Sequence, residues 1–287
     1  MLTLVTVNYQ DPSPTLRLIE DLHRQPSGGF SLVIVDNASA PEHKQRLRDA
    51  TEQLPFPCIV LWYDENAGFA GGTNKGLKHA QGAGAEWILI INNDTRVDAS
   101  FIADLTTRIA GLSSGVFGLP LVEHGKRIVS GTVAWLRTEL KHDTGAPTLN
   151  SYIIGAAILV DRTTLATLGY LDERYFLYFE DVAYTLKARR QGIHVGFLPS
   201  PIVTHTPSQS TSKLSSPILL RYHMRNAILL NQSFGPWWVR IITPLWALGV
   251  IVRNVVKYLC IPSVRPQSRA LILGSWDGLT HHYGILH

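Results

Sequence analysis

Residues 86 to 98 read EWILIINNDTRVD, an unbroken apolar run that stops on two amides and a carboxylate. Trp87 to Ile91 carries no periodicity because every residue is apolar. Its five-residue length and its abrupt polar stop suit a central strand of a parallel sheet, buried on both faces. The strand is expected to end at Asn92, Asn93 and Asp94. In an open α/β sheet, ligands collect at the carboxyl ends of the strands, so a carboxylate there is placed to hold a metal ion or a phosphate-bound metal. Asn-Asn-Asp also makes an ordinary polar turn, and this stretch alone leaves both readings open.

The flanking sequence repeats the pattern. Leu2 to Val7 (LTLVTV) reads as a first strand ending at Asn8-Tyr9, and Leu16, Ile19 and Leu22 then fall at helical spacing. Ser31 to Val35 reads as a second strand, which delivers Asp36 to the same sheet edge. Cys58 to Leu61 reads as a third, before Glu65 to Asn74 (ENAGFAGGTN) opens a helix. That glycine-rich segment is a poor dinucleotide fingerprint, which belongs after the first strand, where this chain has Asn8-Tyr9-Gln10-Asp11. Its glycines allow close backbone approach, and the free N–H groups of a helix N-terminus suit ribose or phosphate oxygens; a tight turn packing the helix onto the sheet is the alternative.

Beyond Asp94 a helix is expected over 99–110, strand-like sequence over 116–122 and near 128–134, and a buried strand over 152–160. In the last, Gly155, Ala156 and Ala157 leave room for a close neighbour or ligand. Strands and helices alternate strictly at first and mix later. The fold class is therefore α/β, a mostly parallel sheet flanked by helices with an antiparallel extension. An aromatic-dense run, Tyr175-Phe176-Leu177-Tyr178-Phe179, leads to Glu180-Asp181 and a helix expected over 182–191. Either acid could serve as a helix cap. An apolar wall beside a carboxylate also raises its pKa towards that of a usable base, while the helix dipole pulls the other way. Short strands follow over 193–198 and 201–204, and His205 stands at the end of the second.

Taken together and in order, VTVNY (5–9), VDNAS (35–39), ENAGFAGGTNKG (65–76), INNDTRV (91–97), GYLDERYFLYFEDV (169–182), HTPSQS (205–210) and RYHMRN (221–226) resemble the family 2 inverting glycosyltransferases of GT-A fold, in particular the bacterial rhamnosyltransferase-like branch. The resemblance covers about 220 residues. It implies that Tyr9 and Asp36, with Val7 beside them, meet the nucleotide base, Asp36 accepting from the ring N–H of a uracil or thymine. It places Asn66, Gly72 and Asn74 along the nucleoside and sugar, adds Asn93 to the donor contacts, and puts Arg225 near the mouth of the site within reach of phosphate. Asp94 would be the surviving carboxylate of a DxD-type motif, His205 would complete a Mg²⁺ or Mn²⁺ site, and Asp181 would be the base with Glu180 beside it. Family members often carry two or three acids where this chain has Asn92-Asn93-Asp94.

These residue types suit the chemistry. Cleaving a sugar–diphosphate bond leaves negative charge on the departing phosphate, which a hard divalent cation stabilises. A single base on the opposite face of the sugar activates an acceptor hydroxyl, and with no second nucleophilic carboxylate the anomeric configuration inverts, by analogy with hydrolases. The expected activity is transfer of a sugar, L-rhamnose being one candidate, from a TDP- or UDP-sugar to a saccharide acceptor, lipid-linked in cell-surface polysaccharide assembly. A sugar nucleotidyltransferase would want a glycine- and basic-rich loop directly after the first strand. A non-catalytic nucleotide-sugar-binding or scaffold module is the alternative from another class, and it would be indifferent to Asp181→Asn.

The 287 residues can bury a large core, and 45% hydrophobic with 17% charged residues is globular composition. Cys58 and Cys260, each in apolar company, give no disulfide framework and suit a reducing compartment. The start of the chain shows no basic n-region or cleavage site, so a cytoplasmic location is expected, peripheral on the inner face of the membrane. From Phe234 onward five basic residues meet one acid, so this tail holds the whole net charge of +4 and the body is neutral. A neutral body speaks against nucleic acid as partner, and a basic tail speaks for an anionic surface. The expected organisation is a catalytic unit over 1–212 and a helical extension over 213–287. Within the extension, Ile241 to Val252 is apolar over about half the roughly 20 residues of a spanning helix, and Pro244 interrupts it. With Trp237, Trp238 and Trp246 and flanking Arg240, Arg253 and Lys257, it fits a segment lying in a membrane interface, or else one packed on the body or on a second copy in a homodimer.

Overall fold

The computed structural model describes residues 1–25, 28–136, 139–205 and 216–286. Its first half alternates strand and helix: β1 (Leu2–Asn8), α1 (Ser13–His23), β2 (Phe30–Asn37), α2 (Pro41–Thr51), β3 (Cys58–Tyr63), α3 (Gly68–Gly82), β4 (Trp87–Ile91), β5 (Thr95–Arg96) and α4 (Phe101–Ile109). Short strands follow as β6 (Val116–Gly118), β7 (Leu121–Glu123), β8 (Lys126–Ile128), β9 (Ser130–Ala134), β10 (Glu139–Asp143), β11 (Ser151–Tyr152) and β12 (Ala157–Asp161). Then come α5 (Arg162–Leu168), α6 (Glu180–Arg190), β13 (Val195–Phe197), β14 (Val203–His205) and the C-terminal helices α7 (Pro217–Phe234), α8 (Trp237–Cys260) and α9 (Arg265–Leu279).

Seven strands form the central sheet in the order β3-β2-β1-β4-β12-β6-β13. β1 to β4 pair in parallel, and β12 enters antiparallel between β4 and β6. Successive side chains of a strand point to opposite faces, and the core divides accordingly. Leu4, Leu32, Ile34, Leu89 and Ile91 pack with α1, α2 and α4 on one face. Val5, Val33, Val35, Ile88 and Ile90 pack with α3, α5 and α6 on the other. Unbroken apolar runs such as WILII arise from this two-sided burial. The fold is thus a mixed α/β sheet flanked by helices, with a C-terminal helical extension.

Two expected strands are each two pieces. Leu119-Pro120 divides 116–122, sending β6 to the central sheet and β7 to a small second sheet of order β5-β14-β7-β8. The run 152–160 breaks at Ile153–Ala156, leaving β11 in a third sheet with β9 and β10. The tail departs further from expectation, because α8 runs 24 residues straight through Pro244. Proline removes one helical hydrogen bond, and the carbonyl left over belongs to Arg240, which is exposed and can be hydrated. By length and composition α8 could therefore cross a membrane. The boundary expected at 212/213 lies outside the described residues, as do residues 206–210 of the HTPSQS motif.

Candidate functional site

The carboxyl ends of β1, β2 and β4 form one edge, and β12, running the other way, begins there: Asn8 pairs with Asp36 and Ile91 with Ala157. A buried hydrogen-bond chain crosses this edge. Asn93 Nδ2 donates to Thr15 Oγ1 (2.9 Å), Thr15 donates to Asn8 Oδ1 (2.7 Å), and Asn8 Nδ2 donates to Asp36 Oδ2 (3.1 Å). Asp36 is fully buried, and its second oxygen accepts from the Ser39 amide at 3.1 Å. Tyr9, next along from Asn8, is 52% exposed. Val7 is half-buried, and Gly72 packs against it: a Cβ there would lie 3.0 Å from Val7 Cγ1.

The second sheet brings His205 to this edge, since β14 pairs with β5 and sets His205 opposite Thr95, one residue after Asp94. His205 Nε2 lies 3.2 Å from Asp94 Oδ1, and its Nδ1 lies 2.6 Å from Glu123 Oε1. The other Glu123 oxygen meets His142 Nδ1 at 2.9 Å. Burial pushes the Glu123 carboxyl up, but the hydrogen bonds from His142 and His205 outweigh it and hold the group at about 2. Burial pushes His205 down, but its bonds to Asp94 and Glu123 outweigh that and raise it to about 9. The two flanking carboxylates thus favour the protonated form of His205.

The donor set fits a hard divalent ion. Asp94 offers an oxygen and His205 a nitrogen, while Glu123 orients the far side of the imidazole as carboxylates do for metal-bound histidines. Asn92 Oδ1, two residues before Asp94 in sequence, is buried and has no hydrogen-bond partner among the described residues. Among those residues no group of three or more His, Cys, Asp or Glu side chains is arranged to hold an ion unaided. That leaves positions for oxygens from a diphosphate or water.

Asp181 reaches the same edge from α6. Its Oδ2 accepts from the Gly155 amide at 2.7 Å, and the Asn92 amide donates to the Ala156 carbonyl at 3.0 Å, so the two residues Gly155 and Ala156, just before β12, link the two acidic centres. Gly155 suits this approach: a Cβ there would stand 3.1 Å from Asp181 Cβ, closer than ordinary van der Waals contact. The break that splits the expected strand over 152–160 is the space Asp181 occupies. Desolvation raises the Asp181 pKa, outweighing the backbone bonds from Gly155 and Val182 that lower it. Glu180 is buried too, with Oε2 lacking a hydrogen-bond partner among the described residues, and its pKa is raised by burial first and by the Asp181 charge second.

Three of the four residues before Glu180 have left-handed backbones: Phe176, Tyr178 and Phe179, at φ of 59°, 70° and 72°. Each costs about 1–3 kcal/mol. Helix α7 holds them. Asn226 Nδ2 donates to the carbonyls of Tyr175, Leu177 and Tyr178, and Arg225 Nη2 to those of Arg174 and Tyr175. Five bonds at about 0.5–1.5 kcal/mol each are of the size needed to offset that strain. Arg225 is therefore not the phosphate contact expected of it: it is fully buried and directed at backbone carbonyls.

The glycine-rich segment is likewise turned inward. Phe69 and Ala70, at the N-terminus of α3, donate their amides to the Phe176 carbonyl, so those two groups are not open to a ligand. Asn66 Oδ1 accepts from Asn37 and from the Gly68 amide, while Asn74 ties down Leu171 and Glu173. Sequence reasoning missed Glu123, His142 and Thr15. Glu123 closes β7 directly behind the apolar run over 116–122, the strand-end signal that could have found it, whereas nothing local distinguishes His142 and Thr15.

A model of the family described as "Glycosyl transferase family 2" matches residues 3–155. The dTDP-rhamnosyl transferase RfbF of Shigella flexneri is 25% identical over 242 residues, covering 80% of this chain and 79% of its own length. The N-acetylglucosaminyl-diphospho-decaprenol L-rhamnosyltransferase of Mycobacterium tuberculosis is 25% identical over 275 residues, with 83% and 86% covered. Among solved structures, the mannosyltransferase PcManGT of Pyrobaculum calidifontis, in complex with GDP-Man and Mn²⁺, superposes with a TM-score of 0.59 at 15% identity, covering 97% of this chain and 86% of that one.

Proposed function

The chain belongs to glycosyl transferase family 2, and from that premise we propose that it moves L-rhamnose from a dTDP-sugar to a lipid-linked saccharide with inversion at the anomeric carbon. The choice of sugar is supported by the names of two relatives that span most of their own length. The observation that carries the reading is the meeting, at one sheet edge, of a paired ionic centre, Asp94–His205, and a desolvated carboxylate, Asp181. Such a contrast separates the two tasks of glycosyl transfer, neutralising a leaving group and removing a proton.

Asp94 and His205 would hold the cation, Mn²⁺ or Mg²⁺, which when bound supplies positive charge opposite the departing diphosphate. Asp36 would accept from the base N–H, with exposed Tyr9 beside it and Val7 walling the same side. Asn93 would act through Thr15 to hold Asn8 and Asp36 in register. Asn66, Gly72 and Asn74 would shape the floor on which the donor lies, and Arg225 would position the loop before the base. Asp181, pinned by the Gly155 amide, would take the acceptor proton as its hydroxyl attacks, and Glu180 would tune the local charge.

A panel of nucleoside-diphosphate sugars with Mn²⁺ tests the reading by thermal shift and by release of nucleotide. A donor at about 100 times its Kd should stabilise the protein by about 2.7 kcal/mol. dTDP-L-rhamnose is expected to give the largest shift and metal-dependent turnover. Equal indifference to every nucleotide sugar would remove the donor assignment.

A further inference from the structure

Helix α8 is packed on one face along most of its length and bare on the other. Val239, Thr243, Ala247, Val250 and Asn254 are buried against the neighbouring helices, Ala247 and Val250 clustering with Met224 and Ile228 of α7. At about 100° per residue, these five fall on one side of the helix. Ile241, Leu245, Leu248, Val252, Val256 and Leu259 recur at the same spacing roughly 180° away, and all are exposed, Leu245 to 68% and Val252 to 65%. Trp237 extends this stripe at the start of the helix, 74% exposed.

Two of the charges on α8 lie between the two faces. Arg240 projects from one flank and Arg253 from the other, while Lys257 falls in line with Val239 beyond the packed stretch, and all three are exposed. The helix has no acidic residue. An apolar ridge with cations along both borders matches a bilayer surface, where acyl chains meet the ridge and anionic headgroups meet the borders. A second copy of the chain fits less well: a symmetric pairing through the ridge would set basic border against basic border with no acid on α8 to relieve it. A spanning orientation is also disfavoured, because the protein-packed face carries the Asn254 and Thr243 side chains and is anchored to α7 and α9 from Val239 to Asn254.

We infer that the exposed face of α8 docks in plane on an anionic phospholipid surface, with Ile241, Leu245, Leu248 and Val252 immersed and the flanking Arg240 and Arg253 at the phosphates. This follows from α8 alone and does not depend on the donor assignment. What it would explain rests on the proposed function. Arg253 also lines a cavity of about 410 Å³ with Glu139, His223 and Met224, and the His223 ring packs 4.8 Å from that of Phe179, the residue before Glu180. Docking through α8 would bring that cavity to the membrane, where a lipid-linked acceptor resides.

The test is flotation of the full chain with phosphatidylcholine vesicles, with and without phosphatidylglycerol. Wild type should float with the anionic vesicles and lose most of that binding in high salt. Leu245→Glu with Val252→Glu should abolish flotation, and Arg240→Glu with Arg253→Glu should weaken it by at least fivefold per charge, roughly the worth of one basic residue near an anionic surface. Both pairs are solvent-facing and should leave the thermal shift with nucleotide sugar unchanged, which separates failure of the membrane surface from failure of the donor site. Quenching of wild-type tryptophan by brominated lipid needs no substitution and should be seen if Trp237 is immersed. Flotation of the Leu245/Val252 variant equal to wild type, absence of both flotation and quenching in wild type, or a solution dimer that those substitutions dissociate would each overturn the inference.

Discussion

Two acidic centres share one edge of the sheet and are built in opposite ways. Around Asp94, every charge has a partner: His205 lies between Asp94 and Glu123, and Glu123 reaches on to His142. Around Asp181, burial dominates, the donors to its carboxylate among the described residues being backbone amides, and a second buried acid lies next to it. Paired charges stay charged, and a cation can replace the proton they share. An acid kept from water and from countercharge drifts towards neutrality and becomes a better proton acceptor once ionised. The same residue type thus has two settings at one sheet edge, one ruled by charged partners and the other by burial.

Substitutions at each centre should separate these roles. The largest effect is expected from Asp181→Asn, which preserves the shape and the Gly155 contact but removes the proposed base. Turnover should fall by about 10²–10⁴-fold with nucleotide-sugar and Mn²⁺ binding retained. The wild-type acid limb of the pH–rate profile should lie above the ordinary Asp value and vanish in the variant. Unchanged turnover would return Asp181 to the role of a helix-end acid.

Glu123→Gln should act on the other centre alone. It removes the charge that orients His205, and the expected cost is about 10–100-fold in Mn²⁺ affinity, measured by electron paramagnetic resonance of free Mn²⁺ in the presence of nucleotide. The variant should keep its fold and the Asp181 acid limb. If metal affinity did not move, His205 would not be acting as a ligand held from behind by Glu123.

The smallest effect is expected from Glu180→Gln. The carboxyl is buried and its folded pKa is raised above 4.5, so the native state holds its proton more tightly than the unfolded chain does. Its contribution to stability is therefore full below the unfolded value and is lost as pH rises towards the folded one. The Gln variant lacks this loss, and its Tm should fall less than that of wild type between mildly acidic and mildly alkaline buffer. Parallel melting curves for the two proteins would place Glu180 in contact with solvent.

How much of this was legible in the chain varies by residue. Asp36, Asp94 and His205 announce themselves because each follows a short apolar run, and a residue just past a buried strand must emerge at the sheet edge. The Gly155 region was legible as a place left small, but not as the seat of Asp181, which lies 26 residues on. Arg225 misled because a basic residue beside a polar motif reads as a ligand contact. Only packing shows that it and Asn226 restrain three left-handed residues. The length of α8 misled as well: Pro244 argues locally for a stop, and tertiary contacts along the buried strip carry the helix through.

What the sequence determined by itself is the alternation of strand and helix, the sheet edge that gathers the acids, and the neutral body with a basic tail, because periodicity, strand ends and charge are local properties. What only the tertiary structure decided is which acid is paired and which is desolvated, together with the identities of Glu123, Thr15 and Asn226 as supports. Those depend on contacts between residues as far apart as Glu123 and His205, 82 positions along the chain. A pKa is set by the solvent and charges around a group in space, and no window along the polymer contains that information.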